Sequence, residues 1–205
     1  MFILGLTGSF GAGKSTVSQM LAERGALISD ADAHAKHAVR KGTKALRELK
    51  KLMGPEVMLP DGTLDRKAVR ERIFEDEALR KAVEAIIHPA VKKLRDKEVK
   101  QARKDGVEII VLDIPLLFEN GLEQEADKVA AVVCDETQII LRLQARDGFS
   151  EAEIRQRWAA QISQEDKCGL ADCVIDNSKS LEETALQVDA LLHRIREGNW
   201  RKDPD

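Results

Sequence analysis

Gly8-Ser9-Phe10-Gly11-Ala12-Gly13-Lys14-Ser15 is the stretch that decides the fold. It fits the spacing G-x-x-x-x-G-K-[ST]. The apolar run Phe2–Thr7 precedes it, and the helical spacing of Val17, Met20 and Leu21 follows. Strand, glycine-rich loop and helix, in that order, is the context that gives the pattern meaning. Glycines permit the backbone angles that aim successive N–H groups at one point, and the helix start adds the positive end of its dipole. Gly11, Ala12, Gly13, Lys14, Ser15 and Thr16 are therefore the candidate nucleotide-binding residues. In such loops the lysine reaches the β- and γ-phosphates and the serine ligates Mg²⁺. A chance glycine-rich turn is the competing reading, and the full spacing in this context disfavours it.

Working outward, Ala26–Ser29 reads as a second strand that ends at Asp30-Ala31-Asp32. Val107–Asp113, Val129–Cys134 and Cys173–Asp176 read as a third, fourth and fifth. Strands separated by helices imply a parallel sheet covered on both faces, an α/β architecture. Ser150 to Glu153 and Ser180 to Glu183 have the capping-box form and should each start a helix. Asp65 and Asp76 are candidate N-caps, and Pro89 is expected to open the long charged helix that ends near Gly106. Residues 33–105 are almost wholly helical in pattern, too long for a crossover, and read as an inserted helical domain. The expected core is residues 1–32, 106–135 and 171–198, with lid helices over 136–170. The polar tail beyond Gly198, which carries Trp200, is expected to fray.

Composition narrows the classes. At 205 residues the chain can bury a sizeable core without staples. No apolar run approaches the roughly 18 residues of a membrane span, and the N-terminus lacks a basic n-region, so neither a membrane partner nor a signal peptide is expected. Three cysteines, Cys134, Cys168 and Cys173, show no framework spacing and suggest a reducing, cytoplasmic compartment. Aromatic residues make up 3%, with no Tyr, which argues against a nucleic-acid reader that stacks on bases. Residues 33–105 hold 20 Lys and Arg against 12 Asp and Glu, a net of +8, while the remainder nets −11. A basic block suggests an anionic partner, with solvated helix faces as the plainer reading of most of these lysines. His34 and His37 lack a third metal ligand and read as a helix-surface pair. Trp158 reads as packing for a lid helix.

The carboxylates supply the chemistry. Asp30 and Asp32 stand just beyond the second strand, and ligands of open α/β sheets bind beyond the carboxyl ends of strands. One can deprotonate an acceptor hydroxyl while the other serves Mg²⁺; either alone can equally cap the next helix. Asp113 ends Ile109-Ile110-Val111-Leu112, a Walker B form, and is a candidate metal ligand or a loop cap. An Asn-Lys-x-Asp base reader and a Leu-Ser-Gly-Gly-Gln signature are both missing. A small-molecule kinase is the leading subclass. Arg142 and Arg146 lie four apart on one helix face, either as phosphate ligands or paired with Asp147 and Glu151.

Several segments together resemble the dephospho-CoA kinase family. They are Gly5-Leu6-Thr7-Gly8 leading into the loop, Asp30-Ala31-Asp32, Asp61-Gly62-Thr63-Leu64-Asp65-Arg66, Ile86-Ile87-His88-Pro89 and Ile114-Pro115-Leu116-Leu117-Phe118-Glu119. Gln138, Arg142, Arg146, Arg157, Gln161, Ala171-Asp172 and Val174-Ile175-Asp176-Asn177 complete the pattern, which spans roughly residues 3–190. The loop departs from the family's usual Gly-Gly-Ile-Gly-Ser-Gly-Lys at Ser9, Phe10 and Ala12, which leaves the phosphate-cradling spacing intact.

The resemblance implies a strand order of 2-3-1-4-5 and transfer of the γ-phosphate of ATP, with Mg²⁺, to the ribose 3′-hydroxyl of dephospho-CoA. It implies Asp32 as the base and Asp30 nearer the metal, two roles that sequence alone leaves exchangeable. It makes Arg142, with Lys14, a candidate for neutralising the transferred phosphoryl group, and Arg146 and Asn177 candidates for holding ATP. Ser15, Asp30 and Asp113 become the candidate metal ligands. The basic helical domain would hold the CoA-like substrate, with Arg66, His88, Leu116, Phe118 and Glu119 as candidate contacts. His88 keeps a capping or core reading, and Arg66 keeps a pairing with Asp65 or Glu71. The expected assembly is a monomer or weak homo-oligomer.

Overall fold

Alternating apolar runs and helices build one five-stranded sheet in this computed structural model. It describes residues 1–199, apart from the side chain of Glu75. Trp200 and the tail after it lie outside the described residues. The strands are β1 (Phe2–Gly8), β2 (Leu27–Asp30), β3 (Ile109–Asp113), β4 (Lys128–Val133) and β5 (Cys173–Asp176), in the order β2-β3-β1-β4-β5. β1 runs parallel to both β3 and β4, with Leu4 opposite Val111 and Leu6 opposite Ala130, and β4 runs parallel to β5. Every residue of β3 is buried, which is why it reads as a continuous apolar run with no polar alternation. The strand order is the one that the family resemblance implied.

Nine helices connect the strands among the described residues: α1 (Lys14–Glu23), α2 (Ala31–Ala38), α3 (Lys44–Met53), α4 (Arg66–Glu75), α5 (Glu77–Lys104), α6 (Glu136–Asp147), α7 (Glu151–Ala159), α8 (Gln164–Leu170) and α9 (Leu181–Arg196). Ser150 and Ser180 each form the complete capping box. Asp65 caps α4 through its side chain, and Asp76 Oδ1 accepts from the Leu79 N–H at 2.8 Å. None of these helices is long and apolar enough to cross a membrane.

The described residues divide into two compact units, residues 1–29 with 102–199, and residues 30–101. The first has a core of sheet residues such as Leu4, Leu6, Val111 and Val132, covered by Leu21, Ile154, Val188 and Leu192. Each fully buried leucine of this kind contributes about 2 kcal/mol. The second unit has a smaller core of its own, with Val39, Leu49, Met53, Val57, Val69 and Val83 buried.

The reading of Pro89 as a helix opener is corrected. α5 starts at Glu77 and runs through Pro89 to Lys104. A proline inside a helix removes one N–H donor and usually kinks or ends it. Here Val83 is buried in the second unit's core, and Leu79, Ile86 and Ile87 pack against it. That burial keeps the segment before the proline helical, and tertiary packing overrides the local penalty.

Candidate active site

The phosphate loop leaves β1 at Gly8 and enters α1 at Gly13. Gly11 and Gly13 have φ of 85° and 89°, in the left-handed region that favours glycine. Space is as restrictive as angle. A Cβ on Gly11 would press on Ile139 and Leu143, and one on Gly13 would strike the Asn177 amide. Ser9, Phe10 and Ala12 have no positive φ, so the three departures from the family loop cost no backbone strain. The Ser9 hydroxyl oxygen is buried and has no partner among the described residues. Gly13 stands at the N-cap position of α1 and has no side chain to cap it. An uncapped helix start leaves first-turn N–H donors for an anion. A cleft of about 260 Å³ opens beside the loop, lined by Ser9, Glu136, Ile139, Trp158, Gln161 and Gln164 among others.

Lys14 Nζ forms an ion pair with Asp113 Oδ1 at the end of β3. Both side chains are largely shielded, at 18% and 10% exposure, so solvent screens the pair less than it would a surface one. The pair joins the lysine of the loop to the Walker B carboxylate. Ser15, at the start of α1, is exposed. The described residues hold no group of three or more His, Cys, Asp or Glu side chains able to cage a metal. Mg²⁺ does not need one: it keeps several waters and is usually bound by one or two carboxylates together with substrate phosphates. Asp113 and Ser15 carry oxygen donors of the type Mg²⁺ takes, and Asp113 Oδ1 is engaged by Lys14.

The two aspartates beyond β2 are not equivalent. Asp30 is the N-cap of α2, its Oδ1 accepting from the N–H groups of Asp32 at 2.8 Å and Ala33 at 3.1 Å. Asp32 lies in the first turn, exposed, with no partner for its carboxylate among the described residues. One turn further, His34 Nε2 lies 2.9 Å from Glu98 Oε2 on α5, which ties α2 to the long helix.

Arg142 and Arg146 also part ways. Arg146 pairs with its neighbour Asp147 at 2.7 Å. That hydrogen bond raises the arginine's pKa and holds the aspartate below its ordinary value. Arg142, also exposed, makes different contacts. It donates to the Asn177 carbonyl at 3.2 Å, to Gln138 Oε1 at 2.9 Å and to Cys134 Sγ at 3.4 Å. Burial pushes the Cys134 thiol upward, while the nearby guanidinium opposes that shift. Asn177 is 4% exposed, and the protein itself engages its side-chain amide. Nδ2 donates to the Ala12 carbonyl at 2.9 Å, and Oδ1 accepts from Thr184 Oγ1 at 3.1 Å. It braces the phosphate loop against α9.

Arg66 is exposed at the start of α4, with no ion pair among the described residues. Asp65 is occupied in capping, and Glu71 pairs with Lys67 at 3.8 Å, so neither expected rival holds Arg66. His88 is exposed in the middle of α5, which corrects the capping and core readings. After β3, Leu116 is 37% exposed and Phe118 is partly buried, while Leu117 between them is fully buried core. Glu119 Oε1 accepts from the Ile162 N–H at 3.2 Å and pairs with Lys167 Nζ at 3.0 Å.

Lys167 is 1% exposed, and its Nζ also lies 3.4 Å from the Pro115 carbonyl, which accepts from Thr7 Oγ1 at 2.9 Å. Sequence reasoning missed Lys167. A lysine in the last turn of a short polar helix reads as solvated, and its only signal is proximity to the Gln161 and Ala171-Asp172 segments. The contacts of Trp158 and Gln161 with the phosphate loop were equally unreadable, because about 150 residues of chain separate the partners.

A family model described as dephospho-CoA kinase matches residues 2–183. The dephospho-CoA kinase of Symbiobacterium thermophilum is 45% identical over 190 residues, covering 93% of this chain and 80% of that protein. That of Anaeromyxobacter dehalogenans is 42% identical over 205 residues, covering 100% of this chain and 97% of the relative. A crystal structure of a protein from Thermus thermophilus superposes with a TM-score of 0.83 at 35% identity, covering 94% of this chain and 97% of that one. Dephospho-CoA kinase from Campylobacter jejuni superposes with a TM-score of 0.72 at 24% identity, over 96% and 98% of the two chains, and attests the fold. With a phosphate loop of this geometry and relatives of this identity along nearly its whole length, the chain is an enzyme that belongs to the dephospho-CoA kinase family.

Proposed function

We propose that the chain transfers the γ-phosphate of ATP to the ribose 3′-hydroxyl of dephospho-CoA, giving CoA and ADP. The observation that carries the reading is the phosphate loop: two left-handed glycines lead into an uncapped helix whose first residue, Lys14, is already held beside the Asp113 carboxylate. Phosphoryl transfer asks mainly for positioning and charge neutralisation. Gly11 to Thr16 bind the phosphates, and Lys14 neutralises charge on them. Mg²⁺, bound with ATP, would add to that neutralisation, and Ser15 and Asp113 would hold it, with the second oxygen of Asp30 as a further candidate.

Asp32 is the base for the acceptor hydroxyl. The capping role of Asp30 supports this division, since it leaves Asp32 as the aspartate whose carboxylate no described residue engages. Arg142 is the arginine assigned to the transferring phosphoryl group, because Arg146 is paired with Asp147. Asn177 acts through the loop it braces. Arg66, His88, Leu116 and Phe118 are assigned to the acceptor, and the exposure of Arg66 and His88 supports their availability. Glu119, through Lys167, shapes the segment that carries Leu116 and Phe118.

The test is a coupled ADP-release assay with ATP and Mg²⁺, run separately with dephospho-CoA and with nucleosides as acceptors. ADP release that depends on dephospho-CoA, with an equal yield of CoA, is the expected result. Release with nucleosides alone, or none from a folded, ATP-binding protein, would overturn the assignment.

A further inference from the structure

Phe10, the bulkiest of the departures in the loop, is held on both sides of its own backbone. Its N–H donates to Gln161 Oε1 at 3.2 Å, and its carbonyl accepts from Trp158 Nε1 at 2.9 Å. Its ring meets Phe149 edge-on, at 5.8 Å between centroids and 68° between planes. The Arg157 guanidinium lies 5.0 Å from the centre of the Phe10 ring and 4.5 Å from that of Phe149, an arrangement that attracts a cation to both ring faces. An isoleucine, usual at this place in the family, offers no ring to Arg157. α7, which supplies Arg157 and Trp158, is itself anchored, because its Ile154 is fully buried in the sheet core.

We propose that Trp158 is a positioning residue for ATP: by holding the Phe10 carbonyl it sets the aim of the phosphate loop, so that α7 and the loop meet the nucleotide as one piece. The physical reason is local. Hydrogen bonds on the N–H and the carbonyl of one residue orient the peptide planes on either side of it. The second of those planes leads directly into Gly11, whose left-handed turn starts the curve of N–H groups. A hydrogen bond from a rigid indole on an anchored helix sets that plane before the ligand arrives, and preorganised donors bind more tightly than donors that must first be ordered. Trp158 touches no reacting atom in this scheme; it acts through Phe10. The inference rests on the ATP-binding reading above.

Trp158→Phe keeps a ring and removes the donor. Calorimetric titration with Mg²⁺ and ATP should show binding about fivefold weaker than in the wild type, as expected for one lost hydrogen bond. KM for ATP should rise by the same factor while KM for dephospho-CoA stays within twofold. Equal ATP affinity in variant and wild type would overturn the proposal, as would a parallel rise in both KM values, which marks a general structural defect. A wild type that binds no ATP would remove the functional reading itself, and this proposal with it. Should Trp158→Phe fail to fold, a Trp200→Phe protein leaves Trp158 as its one tryptophan. The emission of Trp158 should then shift on addition of Mg²⁺ and ATP and not on addition of dephospho-CoA. Unchanged emission with ATP would refute the coupling.

Discussion

β1 leads into α1 through the phosphate loop, whereas β2 leads straight into α2, and the two junctions treat the start of the helix in opposite ways. At the end of β1, α1 begins at Gly13 without a side-chain cap. At the end of β2, α2 begins at Asp30, whose carboxylate closes the N–H groups of Asp32 and Ala33. A good N-cap stabilises a helix by about 1 kcal/mol. The first junction forgoes that stabilisation and leaves donors open to an anion. The second takes it and presents carboxylates instead. An uncapped helix start in an otherwise well-capped protein, where Ser150, Ser180 and Asp65 all cap, is therefore a functional statement.

The sharpest way to break this contrast is Lys14→Met, which removes the cation of the open junction and leaves Asp113 without it. We expect kcat/KM to fall by roughly 10²- to 10³-fold, the scale for losing one preorganised charge stabiliser, with the protein still folded. Steady-state kinetics beside a thermal melt would check it. Next comes the pair of aspartates. Asp32→Asn should lower kcat by about 10²-fold, a usual scale for a general base, with an unchanged melting temperature. Asp30→Asn should keep the cap, because asparagine caps as well as aspartate, and should lose much less activity. Equal losses in the two variants would erase the distinction drawn between them.

Asn177→Ala sharpens the comparison from the side of stability. It strips the Ala12 carbonyl and Thr184 hydroxyl of a buried partner, which should cost about 1–3 kcal/mol in denaturant melts and weaken ATP binding by loosening the loop.

The smallest expected effect lies at the back of α1. Arg24 on the α1 side and Asp189 on α9 form a surface pair whose hydrogen bond holds the Asp189 carboxyl below its ordinary value. A carboxyl with a depressed folded pKa contributes its stability above the unfolded value and loses it as pH falls through the folded value. Asp189→Asn should therefore slightly flatten the loss of stability below about pH 4 and leave stability near neutrality almost unchanged, since an exposed pair contributes little. Melts across that range would show it.

What was legible in the sequence was what local chemistry decides. The loop spacing, the five strands, both capping boxes and the caps at Asp65 and Asp76 depend on residues at most a few positions apart, and they appear where expected. Pro89 was misread because burial of Val83, on its N-terminal side, outweighs a local penalty that the sequence displays plainly. Which of Asp30 and Asp32 caps α2 was hidden because either spacing permits a cap. Arg142 and Arg146 looked alike on one helix face until a neighbouring carboxylate claimed one and the Asn177 carbonyl the other. The contacts of Lys167 and Trp158 were unreadable because their partners, Glu119 and Phe10, are distant in the chain and nothing in either segment marks the meeting.

The central claim is the identity of the bond made, and phosphorus NMR of the product tests it most directly. The protein is incubated with ATP, Mg²⁺ and dephospho-CoA, and the purified product is examined beside authentic CoA. A new phosphomonoester resonance coupled to the ribose 3′ proton is expected, formed in equal yield with ADP and lost in Asp32→Asn. A phosphoryl group on any other position, or ADP formed while dephospho-CoA stays unchanged, would contradict it.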